Sequence, residues 1–495
     1  MLYTARESVC LILYKEEIAM NPRDEIVNSI ENKREAYIQA ACEIWDNPEL
    51  CFHEDKAAAI LVKLLEDAGF AVKKGVAGMC TAFVAEYGSG SPVIGIMGEY
   101  DALPGLSQES GCTERKPIVE GGPGHGCGHN LLGTAGVAAV VAMKEYMEAH
   151  GVKGTIRYYG CPAEEGGCGK AYMARAGVFD DLDAAFSWHP SRWLSPWMLK
   201  LNASLGCTFT FTGKASHASS APQMGRSALD ACELMNVGAN YLREHISPEA
   251  KLHYAYLDAG GTAPNIVQAH AVLKYQFRAP TVEEAMDIRA RVEDIARGAA
   301  LMTGTQVEIQ YNEGYSNYVP NTALTKLMGK AVEEVGPIQY DEADYELAKK
   351  FRASLPADCT RNLDWHSTGL SAAEAAEYYR THVLYDRPGK FLEIDAGAPA
   401  STDMGDVSHC VPTAQVEVPC YTIGTPNHTW QMTAQTRTSI GQKGMLEAAK
   451  CLALCGIKVL EDDGTILREA KKEFDTMMGG RKYTCPFPAE LHPPR

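Results

Sequence analysis

The stretch GHGCGHN (124–130) sets two histidines and a cysteine among three glycines, which admits a metal site, a redox centre or a plain turn. Cys127 and His129 are two residues apart, a spacing that no α-helix places on one face, so an extended or looped backbone is needed for both to reach one ion. The flanking glycines supply that freedom. A redox centre would favour CxxC, whereas here the order is C-G-H and the next cysteine is Cys161. Four other stretches end an apolar run with a histidine or a carboxylate: GEYDALPG (98–105), CPAEEGG (161–167), SWHP (187–190) and GTPNHTW (424–430). Taken singly, His189 or His428 reads as a structural histidine and Cys127 as a core thiol. Adjacent glutamates usually form a solvated face, but Pro162, Gly166 and Gly167 enclose Glu164 and Glu165 in a turn. If the preceding strand continues, the pair points in opposed directions, so one can ligate while the other faces a substrate.

The elements that must position these groups are legible in the periodicity. Residues 21–72 carry helical stripes, such as Ala57, Ile60, Leu61, Leu64, Leu65 and Ala68, and read as two helices, with Gly69 at a C-cap position. The short runs CTAFVAEY, PVIGIMG, TIRYYGC and AAFSWH then alternate with helical segments, the rhythm of a mostly parallel α/β sheet. Ligands of such sheets gather beyond the C-terminal strand ends, so the chemistry-bearing stretches are expected to converge in one cleft. Between about 203 and 312 the order becomes βαββαβ, a ferredoxin-like unit, supported by the stripe Ala285, Ile288, Val292, Ile295, Ala296 and Ala299 in its second helix. The division expected is 1–202 and 313–495 for the α/β domain and 203–312 for the insert. Residues 313–390 read as helical and charged, with Trp365 and His366 in a loop, before VPTAQVEVPCYTIG (411–424) returns to strand.

At 495 residues, with 46% hydrophobic and 22% charged residues, the composition is globular and long enough for two cores. A net charge of −17 opposes binding to nucleic acid or anionic lipid. The longest apolar stretch, near GVAAVVAM (136–143), is too short to cross a bilayer. The apolar run VCLILY near the N-terminus has no cleavage pattern after it, so no export is expected, the 16 scattered cysteines read as reduced, and a cytoplasmic location follows. Met20 is a candidate start, which would make residues 1–19 an extension.

GHGCGHNLLG, CPAEEGG, the histidine of SWHP, KASHASSAPQMGRSALDA, GGTAPNIV, STDMGDVS and GTPNHTWQ resemble successive motifs of the M20 metallopeptidase and amidohydrolase family. The resemblance spans about residues 25–490. It implies a zinc-exopeptidase-like catalytic domain split by a ferredoxin-like lid or dimerisation domain. It also implies two divalent ions, zinc or manganese, held by Cys127, His129, Glu165, His189 and His428, with Glu164 as general base. His217 and Asn265 match lid positions that polarise the substrate carbonyl, commonly across a dimer. Arg278 matches a carboxylate-binding position, the better assignment for a guanidinium fork. The plain alternative is that His217 caps a turn and Arg278 ends a strand in a surface ion pair. Asp403 and Asp406 are expected to orient a ligand histidine. One departure stands at GEYD: many members carry a ligand histidine two residues before an aspartate, and Glu99 stands there instead, so Glu99 is left out of the ligand set and Asp101 has no assigned role.

The resemblance implies hydrolysis of an N-acyl or N-aroyl amino acid such as p-aminobenzoyl-glutamate. A di- or tripeptidase shares this chemistry, and a non-catalytic partner in a heteromeric hydrolase shares the fold. The latter would be expected to lack the base or several ligands, all of which are present. A homodimer through the insert is expected, with a heteromer of homologous chains as the other assembly.

Overall fold

The computed structural model describes residues 21–356, 359, 368–387, 389, 391–394 and 396–495. The suggested extension 1–19 and the Trp365–His366 loop lie outside the described residues. The N-terminal region forms three helices rather than two, Pro22–Asn32, Arg34–Asp46 and Asp55–Asp67, because the first helical stretch breaks at Lys33. The third ends as expected, with Gly69 at φ 84° just past it.

The first five strands are β1 (Ala71–Lys74), β2 (Phe83–Ser89), β3 (Val93–Glu99), β4 (Gly154–Cys161) and β5 (Ala184–Ser191). Four more follow, β6 (Ala203–Thr212), β7 (Lys251–Asp258), β8 (His270–Ala279) and β9 (Gln306–Tyr315), and then β10 (Thr413–Pro419). The large sheet runs β1-β2-β4-β3-β5-β10, with the short strand Ser195–Pro196 beyond β10. β4, β3, β5 and β10 are mutually parallel, and β1 and β2 are antiparallel additions at one edge. Their parallel direction brings the ends of β3 at Glu99 and β4 at Cys161 to the end of the sheet where β5 carries His189. Helices His129–His150 and Ser439–Glu461 pack against the sheet, and the interior between them is almost wholly apolar or small. That density leaves little room for the strand ends to shift.

The second sheet has the order β9-β6-β8-β7. With helices Ala228–Leu242 and Val282–Thr303 it forms the expected ferredoxin-like βαββαβ unit around its own core of Leu205, Phe209, Leu273, Phe277, Ile288 and Val292. β8 alternates strictly, so Leu273, Tyr275 and Phe277 face the helices while Gln276 and Arg278 emerge on the opposite face. β9 runs to Tyr315, three residues beyond the expected limit of the insert. β7 lies at the sheet edge with Tyr254, Tyr256 and Leu257 exposed. The segments Thr322–Val335, Glu342–Ser354 and Ala372–Thr381 are helical, as their composition suggested. Among the described residues all cysteines are free, and no helix is long and apolar enough to cross a membrane.

Candidate metal centre

The glycines of GHGCGHN act through two constraints. A Cβ on Gly124 would lie 2.2 Å from the Leu106 carbonyl oxygen, so the backbone passes where no side chain fits. Gly128 takes φ 81° and caps helix His129–His150, which turns the chain sharply enough for Cys127 and His129 to face the same space. His125 is a core histidine: its Nε2 faces the Ile44 carbonyl at 3.3 Å, and burial holds its pKa down at about 3.

Cys127 Sγ lies 3.4 Å from His189 Nε2, and the Nδ1 of His189 donates to its neighbour's carbonyl, Pro190 O, at 2.8 Å. His129 Nδ1 donates to Asp101 Oδ1 at 2.9 Å, which leaves its Nε2 lone pair facing inward. That Nε2 stands 3.9 Å from Glu165 Oε1, and His428 Nε2 stands 3.5 Å from the same oxygen. His428 reaches this place in the left-handed region, at φ 55°, uncommon for a residue other than glycine. The five residues expected to ligate thus share one site. Their ligand atoms fall into two groups, Cys127–His129–His189 and Cys127–Glu165–His428, joined through the thiol.

Glu164 and Glu165 are not separated by strand alternation. β4 ends at Cys161, and Ala163 at φ 60° turns the chain so that both glutamates face the cluster, Glu165 beside Cys127 and His428, Glu164 beside Glu99 and His129. The turn is held by Ala163 N–H on Glu54 Oε1 at 2.9 Å, Glu165 N–H on Asp101 Oδ2 at 2.8 Å, and the Tyr315 hydroxyl donating to the Glu164 carbonyl at 2.7 Å. Burial, reinforced by the nearby Glu99 and Glu165 carboxylates, pushes the Glu164 carboxyl well above the usual range. Burial likewise raises Cys127, and burial with the neighbouring His129 lowers His189 to about 4. His129 goes the other way: burial opposes its charged form, but Cys127 and Asp101 outweigh it and favour positive charge at this ring.

Asp403 and Asp406 do not orient a histidine. Asp403 accepts from the Lys170 ammonium at 2.5 Å and from its backbone N–H at 2.9 Å, while Asp406 accepts from Ser316 Oγ at 2.6 Å and from the Tyr483 hydroxyl at 2.8 Å. The helix Met404–Ser408 carries these carboxylates against helix Gly169–Arg175, away from the imidazoles. Orienting His129 falls to Asp101 instead. Glu99 approaches His129 Nε2 to 3.3 Å with one oxygen and takes the Lys170 ammonium at 2.6 Å on the other. Burial works against charge on Lys170, but Asp403 and Glu99 overcome it and hold the lysine firmly protonated. Asp101, Glu99 and Lys170 had no spacing pattern to mark their roles; the acidic pair in GEYD was the only visible signal.

A cavity of 520 Å³ opens over the cluster, within the size range of small-molecule sites. Cys127, Glu164, Glu165, His189 and His428 form its floor, and Gln276, Arg278 and Glu313 enter it from the polar face of the second sheet. Arg278 Nη1 donates to Pro399 O at 3.1 Å and to Ser401 Oγ at 3.2 Å, so it spans the two sheets rather than ending a strand in a surface ion pair. His217 and Asn265 are brought together, with Ala218 N–H on Asn265 O at 2.9 Å, but they are exposed and do not line this cavity. His217 Nδ1 accepts from the Ser219 and Ser220 backbone N–H groups at 3.3 and 3.2 Å, the turn-capping geometry.

Divalent metal fits this donor set. His129 Nε2 and Glu165 Oε1 are buried without hydrogen-bond partners, which costs free energy unless a cation takes them. Thiolate and imidazole suit zinc, and carboxylate admits manganese.

Residues 95–385 match the profile of Peptidase family M20/M25/M40. The chain is 42% identical over 472 residues to one of the two component chains of the p-aminobenzoyl-glutamate hydrolase of Escherichia coli, covering 94% of this chain and 98% of the relative. It is 30% identical to the Xaa-Arg dipeptidase of Mus musculus, covering 87% of each chain. In fold it is similar to the aminobenzoyl-glutamate utilization protein of Klebsiella pneumoniae, with TM-score 0.55, 17% identity, and coverage of 86% of this chain and 96% of that one. It is similar also to a dinuclear metal-binding M20 peptidase of Bacillus subtilis, with TM-score 0.54, 16% identity, and coverage of 87% and 99%. With the cysteine–histidine–glutamate cluster at the strand ends and the ferredoxin-like insert beside it, these matches establish that the chain belongs to peptidase family M20/M25/M40.

Proposed function

We propose that the protein hydrolyses the amide bond of N-acyl or N-aroyl amino acids of the p-aminobenzoyl-glutamate type, releasing the amino acid and a carboxylic acid. The observation that carries this reading is the convergence of Cys127, His129, Glu165, His189 and His428, with two partnerless buried donor atoms, under a cavity that Arg278 enters. Two divalent ions, zinc or manganese, would be held by those five residues, with the Cys127 thiolate common to both. Such ions supply Lewis-acid polarisation of the scissile carbonyl and make water acidic enough to be deprotonated near neutrality. Glu164 takes that proton on its carboxylate and passes it to the leaving nitrogen. Its buried surroundings, which raise its proton affinity, suit a group that must both accept and return a proton. Arg278 holds the carboxylate of the amino-acid half as a guanidinium fork.

The 203–312 unit acts in this reading as lid and dimerisation domain. The exposed edge strand β7 supports a pairing surface, and the exposed His217–Asn265 pair, outside its own chain's cavity, supports action in a partner's site. A homodimer is the preferred assembly; a heteromer is supported by similarity to both component chains of the Escherichia coli hydrolase. A cytoplasmic location accords with the free cysteines. The second reading, a dipeptidase, is favoured by the Xaa-Arg relative.

The test is a substrate panel. Protein stripped with chelator and reloaded with Zn²⁺ or Mn²⁺ is incubated with p-aminobenzoyl-glutamate, other N-acyl amino acids and dipeptides, and released amino acid is measured. Release from the N-aroyl substrate by loaded protein only is expected. Turnover restricted to dipeptides would select the second reading, and undiminished turnover by fully metal-free protein would remove both.

A further inference from the structure

Lys170 is used neither by the motifs nor by the proposed reaction. Its side chain has no exposed surface, and its ammonium lies 2.6 Å from Glu99 Oε1 and 2.5 Å from Asp403 Oδ1. Its backbone N–H adds a second tie to Asp403, on Oδ2 at 2.9 Å. The remaining oxygen of Glu99 stands 3.3 Å from His129 Nε2, the inward-facing donor atom of the candidate metal centre. A continuous chain of charges, Asp403–Lys170–Glu99–His129, therefore runs from the core into the cluster.

The surroundings explain why a cation is built in here. Glu99, Asp101 and Asp403 are almost fully buried, and Glu164 and Glu165 lie beside them. Buried carboxylates are tolerated only when paired. An ammonium is a compact point charge with three donors, able to sit between two carboxylates without spreading them apart. By engaging Oε1, Lys170 leaves Glu99 a single free oxygen, and the pair together contributes no net charge beside His129. A glutamate at position 99 without that partner would present both oxygens and a full negative charge to any ion at His129.

We infer that Lys170 is a positioning residue, an internal cation that holds Glu99 by one oxygen and sets the charge felt by divalent ions bound at His129. The inference rests on the ion-dependent reading above. It requires that the two members of the pair act in opposite directions. Glu99→Gln leaves the ammonium uncompensated and weakens ion binding, whereas Lys170→Met leaves the Glu99 carboxylate uncompensated and strengthens it. A unit charge on a divalent ion at this range and in these partly dry surroundings shifts affinity by at least about tenfold. The double variant restores the balance.

The experiment is calorimetric titration of Zn²⁺ and of Mn²⁺ into chelator-stripped full-length protein, wild type and the three variants, with the folded state checked by circular dichroism. Weaker binding in Glu99→Gln, tighter binding or an extra equivalent in Lys170→Met, and near-wild-type binding in the double variant are expected. Shifts of both single variants in the same direction, or no shift in either, would overturn the inference, because a merely structural lysine damages the site whichever partner is lost. If Lys170→Met fails to fold, the double variant decides: it should bind at least about tenfold more tightly than Glu99→Gln, and equal affinities would refute the role. Absence of ion binding by the wild type would instead overturn the metal reading itself.

Discussion

Asp101→Asn isolates the support of the candidate metal centre from its ligands. The aspartate is almost fully buried and accepts three bonds, from His129 Nδ1 at 2.9 Å, Glu165 N–H at 2.8 Å and Cys51 Sγ at 3.4 Å. The first two engage different oxygens, so an asparagine of the same shape can serve only one of them and must aim its NH₂ at the other donor. One buried N–H is left facing a donor, a loss of about 1–3 kcal/mol, and the surviving bond loses its charge assistance. Against this, removing one charge from a region that also contains Glu54, Glu99, Glu164 and Glu165 relieves repulsion. The balance is a destabilisation of about 1–3 kcal/mol, a sizeable part of a total of roughly 5–15 kcal/mol. Whichever donor is orphaned, a ligand is loosened: either the His129 ring or the turn carrying Glu165. Loss of such outer support typically costs about 10- to 100-fold in metal affinity or activity. Denaturant unfolding of the metal-free protein and Zn²⁺ titration measure the two effects separately. Stability within about 0.5 kcal/mol of wild type together with unchanged ion affinity would show that Asp101 does not hold His129 in the working protein.

Glu164→Gln should keep the fold and the bound metal but lose turnover by about 10²- to 10⁴-fold, the range for a removed general base, as read by kcat and by metal analysis of the same sample. Glu165→Gln should lower metal content as well as turnover, because it removes a ligand, so equal metal content in the two variants would contradict the assignment. Mixing inactive Glu164→Gln protein with inactive His217→Ala protein under conditions that exchange protomers should restore activity up to about a quarter of wild type, since each heterodimer then holds one intact site. No recovery despite demonstrated exchange would confine His217 to its own chain or remove it from the reaction.

The sequence by itself determined the ligand set and the strand framework behind it. Short apolar runs ending in GEYD, CPAEE and SWHP could only be strands terminating in polar groups, and parallel strands present those ends together. The βαββαβ order was equally local, because alternation along β8 and the 3.6-residue stripe of Val282–Thr303 are properties of neighbouring residues. Only the tertiary structure decided the supporting contacts. Asp403 pairs with a lysine more than two hundred residues away, and Asp101 with a histidine and a backbone amide from two other elements, and none of these meetings leaves a periodic trace. The two glutamates were misjudged in direction for a related reason: their orientation depends on one left-handed residue, Ala163, whose conformation is imposed by Glu54 and Tyr315 from distant parts of the chain. Local patterns record which face of an element is buried, whereas the partner of a single buried charge depends on how whole elements pack, and that is settled only when the core closes around it.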